Sequence, residues 1–236
     1  MTFHELSDGQ HLPEIGFGTY KLNGFAGTQS ILSAVDAGYR LFDTAFNYQN
    51  EGTVGQAIQQ SHVNRDELII TSKLPGKYYS SYQDSIDLIQ ESLYRSKLDY
   101  FDLYLLHWPN PIDDHYLEAW HTLIQAQKFG LVKSIGVCNF LPEHIERLKK
   151  ETNILPVVNQ VELHPYFNQQ ELREYNNTQN ILTQAWSPLG RASAILKDPV
   201  LVELAKKYHK NIGQLVLKWE ICLLYTSPSP RDMRRS

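Results

Sequence analysis

The run Leu68-Ile69-Ile70-Thr71-Ser72-Lys73 is apolar and β-branched until it ends on a cation, and it has two counterparts in the chain. Upstream, Tyr39-Arg40-Leu41-Phe42 ends at Asp43, with Tyr48 just beyond it. Downstream, Leu103-Tyr104-Leu105-Leu106 ends at His107. The steps from Asp43 to Lys73 and from Lys73 to His107 are 30 and 34 residues, the length of one strand–helix unit. In a closed parallel barrel the C-terminal strand ends open on one face, so an acid, a phenol, an amine and an imidazole would meet over one pocket. Such a set can donate a proton to a carbonyl oxygen.

Outward from these runs, strand and helix patterns alternate. Residues 3–13 read as a hairpin around the Asp8-Gly9 turn signal. Strand-like segments follow at 15–19, 40–43, 68–73, 101–107, 132–137, 157–161 and 181–186. Helical periodicity fills 28–37, 50–60, 81–95, 116–129, a short helix opening at Pro142, then 168–176, 199–208 and 212–219. Nearly continuous apolar strands separated by amphipathic helices predict a parallel sheet covered by helices. The expected fold is therefore an α/β (β/α)8 TIM barrel with an N-terminal β-hairpin, showing seven of its eight strands. A doubly wound sheet is the rival. It would carry a Gly-rich turn after the first strand, and Gly16-Phe17-Gly18-Thr19-Tyr20-Lys21 does not complete that pattern.

At 236 residues the chain can bury a full core. Its 42% hydrophobic and 20% charged content suits a globular protein, and a net charge of -4 gives no reason to propose nucleic acid or an anionic membrane as partner. Two cysteines, Cys138 and Cys222, supply neither a disulfide framework nor metal-ligand spacing. No metal is expected, since His164-Pro165 after Glu162 lacks an accompanying ligand cluster. With no signal-peptide pattern and no apolar run near membrane-spanning length, a cytoplasmic, monomeric protein is the default.

Taken singly, each polar strand end has a duller reading. Asp43 suits a helix cap, Lys73 a solvated loop, Tyr48 ordinary packing and His107 a satisfied barrel-mouth histidine. Their order and spacing together favour catalysis.

Six strings carry a resemblance. They are 38–45 (Gly-Tyr-Arg-Leu-Phe-Asp-Thr-Ala) with Tyr48, Thr71-Ser72-Lys73-Leu74, Leu105-Leu106-His107-Trp108-Pro109, Ser134-Ile135-Gly136-Val137-Cys138-Asn139-Phe140, Asn159-Gln160-Val161-Glu162 and Ala185-Trp186-Ser187-Pro188-Leu189-Gly190. In this order, over about residues 3–221, the chain resembles the aldo-keto reductase family. The resemblance implies NADPH-dependent reduction of small aldehydes and ketones to alcohols by hydride transfer.

Within that pattern Tyr48 is the general acid, and Lys73 lowers its pKa by stabilising phenolate. Asp43 holds Lys73 charged, and His107 orients the substrate oxygen. Thr19, Asp43, Cys138, Asn139, Gln160, Trp186, Ser187, Leu189 and Gly190 match cofactor-binding positions. Asn139 and Gln160 would meet the carboxamide, and Trp186 would stack on the nicotinamide. Tyr20 and Trp108, with Tyr48, His107 and Phe46, would line the substrate mouth. Cys138 stands where many members have Ser, and a thiol is a weaker donor. A non-enzymatic cofactor-binding module and an inert fragment are the other functional readings.

The pattern stops after Trp219-Glu220-Ile221. The expected organisation is a barrel over 1–221 lacking its last βα unit, followed by a non-native tail over 222–236 without strand or helix period. The Lys-Ser pair and Arg that the resemblance assigns to an adenosine 2′-phosphate find no match in that tail. A barrel short of one strand would expose two sheet edges and lose stability.

Overall fold

The computed structural model describes residues 2–190 and 194–225. The chain divides into two compact units, one ending at Val158 and one beginning at Asn159.

The first unit opens with an antiparallel hairpin, β1 (Phe3–Glu5) and β2 (His11–Pro13). Its connection is a five-residue loop, not a two-residue turn. The Asp8 carboxylate accepts the Gln10 N–H at 3.1 Å, and Gly9 takes φ +85°, where a side chain would be strained. Then come β3 (Gly16–Gly18), α1 (Gly24–Asp36), β4 (Leu41–Asp43), α2 (Glu51–Gln60), β5 (Ile69–Leu74), α3 (Tyr82–Ser96), β6 (Phe101–Leu106), α4 (Tyr116–Lys128), β7 (Val132–Cys138) and α5 (Pro142–Thr152). Strands β3 to β7 are neighbours in sequence order, with parallel pairing at each step.

Every residue of β6 is buried, as expected for a parallel strand covered on both faces. Phe42, Ile70, Leu106, Val54, Ile89, Trp120 and Leu123 are among the core side chains that β4–β6 share with α2–α4. Apolar burial of this kind drives the assembly at about 25 cal/mol per Å². Helix α3 shows how the local sequence sets its bounds. The Ser81 hydroxyl accepts the Asp84 N–H at 3.2 Å, Arg95 lies in the last turn, and Lys97 closes it in the left-handed region.

Helix α1 begins four residues before the periodic pattern does. Gly24 and Gly27 are poor helix formers, but a Cβ on Gly27 would lie 2.6 Å from the Leu22 carbonyl carbon. Tertiary closeness, invisible to propensity, demands glycine there.

The second unit holds β8 (Val158–Glu162) from its second residue onward, then α6 (Gln170–Thr178), β9 (Leu182–Trp186), α7 (Pro199–Lys207) and α8 (Ile212–Tyr225). Strands β8 and β9 are neighbours. Val161, Leu163 and Leu172 form its core, with Tyr175, Ala185, Trp219 and Leu223 packed against them. The seven parallel strands counted in the sequence are all present. Helix α8 runs to Tyr225, past the expected helix end at 219, and Leu223 packs against the core cluster. The rest of the expected tail, 226–236, lies outside the described residues. Among the described residues, no helix is long and apolar enough to cross a membrane.

Candidate active site

Asp43, Tyr48, Lys73 and His107 all lie in the first unit. Asp43 ends β4, Lys73 is the penultimate residue of β5, and His107 directly follows β6. The parallel register places Asp43 opposite Thr71 and Lys73 opposite Leu105, so three adjacent strand ends present these side chains at one rim. The His107 N–H donates to the Leu74 carbonyl at 3.0 Å, which fixes the step from β5 to β6. Tyr48 closes a 3-10 turn, Phe46–Tyr48, and Gln49 follows in the left-handed region at φ 57°.

The Lys73 ammonium donates to Asp43 Oδ1 at 2.5 Å and to the Thr44 carbonyl at 2.8 Å. It is 1% exposed, and its Nζ lies 5.2 Å from the centre of the Tyr48 ring. Burial alone would lower its pKa. The Asp43 carboxylate leads the influences that outweigh that, so the Lys73 pKa is raised and the amine stays protonated. The Tyr48 and His107 ring centres are 6.1 Å apart at 76°. Burial, aided by the Lys73 charge, pushes the His107 pKa down to about 4. Its imidazole is therefore neutral near pH 7, and its buried Nδ1 finds no hydrogen-bond partner among the described residues. The Asn139 amide donates to the His107 carbonyl at 3.3 Å, tying the end of β7 to this rim.

One expectation is corrected. The Tyr48 pKa is raised, not lowered, because burial of the phenol exceeds the opposing pull of Lys73. The Asp43 carboxylate adds to the rise. The phenol thus keeps its proton at neutral pH.

Around this centre, Tyr20 meets the Tyr48 ring edge-on with centroids 5.0 Å apart, and Phe46 meets Tyr78 at 5.9 Å. Trp108 is half exposed, and its carbonyl accepts from the buried Tyr79 hydroxyl at 3.0 Å. The same hydroxyl lies 3.2 Å from the Leu74 carbonyl, so one phenol bridges the residues that follow Lys73 and His107. Thr19 is fully buried, and its hydroxyl donates to the Asp43 carbonyl at 3.0 Å. Cys138 ends β7 in a buried position that pushes its thiol well above the usual range, so it is no nucleophile.

The remaining expected cofactor positions belong to the second unit. Gln160, on β8, donates to Gln184 Oε1 on β9 at 2.8 Å. Trp186 ends β9, and Ser187 to Gly190 form a turn closed by the Gly190 N–H on the Ser187 carbonyl at 2.8 Å. Ser187 and Gly190 both take positive φ, and Leu189 sits within that turn. No cluster of metal-ligand side chains occurs among the described residues.

Sequence reasoning missed Asn50. This buried amide donates to the Thr19 carbonyl at 2.6 Å and to the Leu22 carbonyl at 3.1 Å, and accepts from the Thr44 hydroxyl at 2.7 Å. It joins the loop after β3 to the loop that carries Tyr48. The available signal was two consecutive polar residues, Asn50 and Glu51, heading an otherwise amphipathic helix.

Residues 14–223 match the profile of the Aldo/keto reductase family. The chain belongs to the aldo/keto reductase family. Among related proteins, 2,5-diketo-D-gluconic acid reductase B of Corynebacterium sp. is 46% identical over 96% of this chain and 81% of its own length. Methylglyoxal reductase DkgA of Escherichia coli O157:H7 is 43% identical over 93% of this chain and 79% of its own. Among solved structures, a Bombyx mori aldo-keto reductase in complex with NADP superposes with a TM-score of 0.84 at 35% identity, covering 94% of this chain and 80% of that one. This aldo/keto reductase is accordingly an oxidoreductase.

Proposed function

We propose that this reductase converts small aldehydes and ketones, reactive dicarbonyls among them, to alcohols with NADPH as reductant and Tyr48 as general acid. The observation that carries the reading is the buried Lys73 ammonium, held by Asp43 and Thr44 beside the Tyr48 ring. Relatives named as methylglyoxal and diketogluconate reductases, and a solved relative holding NADP, support the substrate class and the cofactor.

The donor set fits a nicotinamide. Asn139 and Gln160 each offer an amide donor and acceptor suited to a carboxamide, and Trp186 offers an indole face. Thr19, Asp43, Cys138, Ser187, Leu189 and Gly190 complete the proposed cofactor contacts. When bound, the reduced nicotinamide supplies hydride, which no side chain can.

The chain's own residues handle the oxygen. Neutral His107 hydrogen-bonds the carbonyl and sets its angle at the mouth formed with Tyr20, Phe46 and Trp108. Tyr48 gives its proton to that oxygen as negative charge builds there. The phenolate left behind is stabilised by Lys73, which Asp43 keeps charged and oriented. A raised ground-state pKa for Tyr48 suits this order of events, since the proton is present and is released only on demand. The reading includes a monomeric chain working in the cytoplasm.

The decisive experiment is Tyr48→Phe. Carbonyl-dependent loss of NADPH absorbance should fall by about 10²- to 10⁴-fold while NADPH binding, followed by protein fluorescence, persists. Undiminished turnover would sink the assignment.

A further inference from the structure

Tyr48 sits on a short turn flanked by exposed Asn47 and Gln49, so its position depends on how the two ends of that turn are held. Arg95, in the last turn of α3, touches the first residue of the turn and the first residue of the helix that follows it. Its guanidinium carbon lies 4.1 Å from the centre of the Phe46 ring, the first residue of the turn. Its Nη2 lies 3.0 Å from Oε2 of Glu51, the first residue of α2.

The Glu51 side chain is 1% exposed, and its other oxygen accepts from the Ser72 hydroxyl at 2.6 Å. Ser72 immediately precedes Lys73. A continuous chain of contacts therefore runs from Phe46 through Arg95, Glu51 and Ser72 to the backbone that carries the ammonium. Gly55 makes this possible: a Cβ there would lie 1.8 Å from the Ser96 carbonyl oxygen, so only glycine lets α2 approach the end of α3 so closely.

Resting on the proposed role of Tyr48, we infer that Arg95 is a positioning residue that clamps the Tyr48 turn from outside the pocket. It sets the phenol's distance to Lys73 without touching substrate. A planar guanidinium can stack on Phe46 and pair with Glu51 at once, which an ammonium cannot match. The bland alternative is that Arg95 only packs α3 against α2. Arg65 offers a control of that kind, because it pairs with Asp102 at 2.8 Å and lies 4.2 Å from the Tyr100 ring centre without contacting the Tyr48 turn.

The test compares Arg95→Met, Arg95→Lys and Arg65→Met in the full chain, with NADPH and methylglyoxal. Arg95→Met should lower kcat about tenfold, with both KM values within about twofold of the unvaried chain. Arg95→Lys should recover part of the loss. By hydrogen exchange, amides of 44–51 should exchange faster in Arg95→Met while those of 101–106 keep their protection. Unchanged protection of 44–51 would overturn the clamp, as would an equal kcat loss in Arg65→Met. If the unvaried chain reduces no carbonyl, the proposed function fails, while the exchange data still decide the clamp.

Discussion

Lys73 Nζ stands 2.5 Å from Asp43 Oδ1, with the lysine side chain 1% exposed and the aspartate 18% exposed. The two charges are kept out of bulk water by each other. Removing one leaves the other uncompensated, a loss of about 3–5 kcal/mol for a buried pair. Asp43→Asn retains a hydrogen-bonding oxygen, so about 3 kcal/mol is expected. Urea titration at pH 7 measures it. Burial would then dominate at Lys73 and pull its pKa down. Stability indistinguishable from the unvaried chain would show that solvent reaches this pair.

The raised Tyr48 pKa sets an alkaline limit. In the proposed role the acid form is the active one, and burial keeps it populated above the ordinary phenol value of about 10. kcat/KM for carbonyl reduction in the free enzyme should therefore hold level to about pH 10. A fall centred near neutrality would mean that Lys73 overrides burial.

For His107, the folded-state pKa is about 4 against the ordinary value of 6.5. Between those values the unfolded chain binds a proton that the folded chain refuses. Stability therefore falls as pH drops through this window, and the contribution is intact above it. From pH 7 to pH 5 the loss should be roughly 1–2 kcal/mol. His107→Gln, which has no such proton, should show a correspondingly shallower decline in paired denaturation curves.

Tyr79→Phe removes a donor shared by the Leu74 and Trp108 carbonyls. A cost of about 1–2 kcal/mol follows from losing the hydrogen bonding of this buried hydroxyl. Because the Trp108 loop loses its tether, KM for bulky carbonyls should rise more than kcat falls. Steady-state kinetics across a size series of aldehydes would reveal the split, and an equal effect on both parameters would contradict it.

Gly55→Ala should be among the costliest conservative changes in the first unit. Its methyl group would meet the Ser96 carbonyl, a backbone atom that cannot swing aside. Separating α2 from α3 is expected to cost about 1–3 kcal/mol, seen as a lower urea midpoint. Glu51 and Arg95 would part in the same movement, so activity should decline beyond what unfolding explains.

The strand ends were readable because they combine two signals, an apolar run and an abrupt polar stop. Leu105-Leu106-His107 and Ser72-Lys73 both show it, and each lies where its run predicted. Burial on both faces leaves such strands little freedom to vary in polarity. The start of α1 was hidden because Gly24 and Gly27 satisfy a packing demand from Leu22 that no local propensity expresses. The continuation of α8 past Ile221 escaped notice since its last turn offers too few residues to show a period. The proton affinity of Tyr48 was misjudged because spacing places a cation nearby without revealing how far burial and other partners offset it. Asn50 and Glu51 were read only as the start of a helix, although the fold draws both inside.

The protonated state of Lys73 has one more outcome. An amine that keeps its third hydrogen has no lone pair to offer, and so it cannot condense with an aldehyde of the proposed substrate class. The chamber is spared an imine adduct that would block its own floor. Chemistry there is confined to the oxygen of the guest.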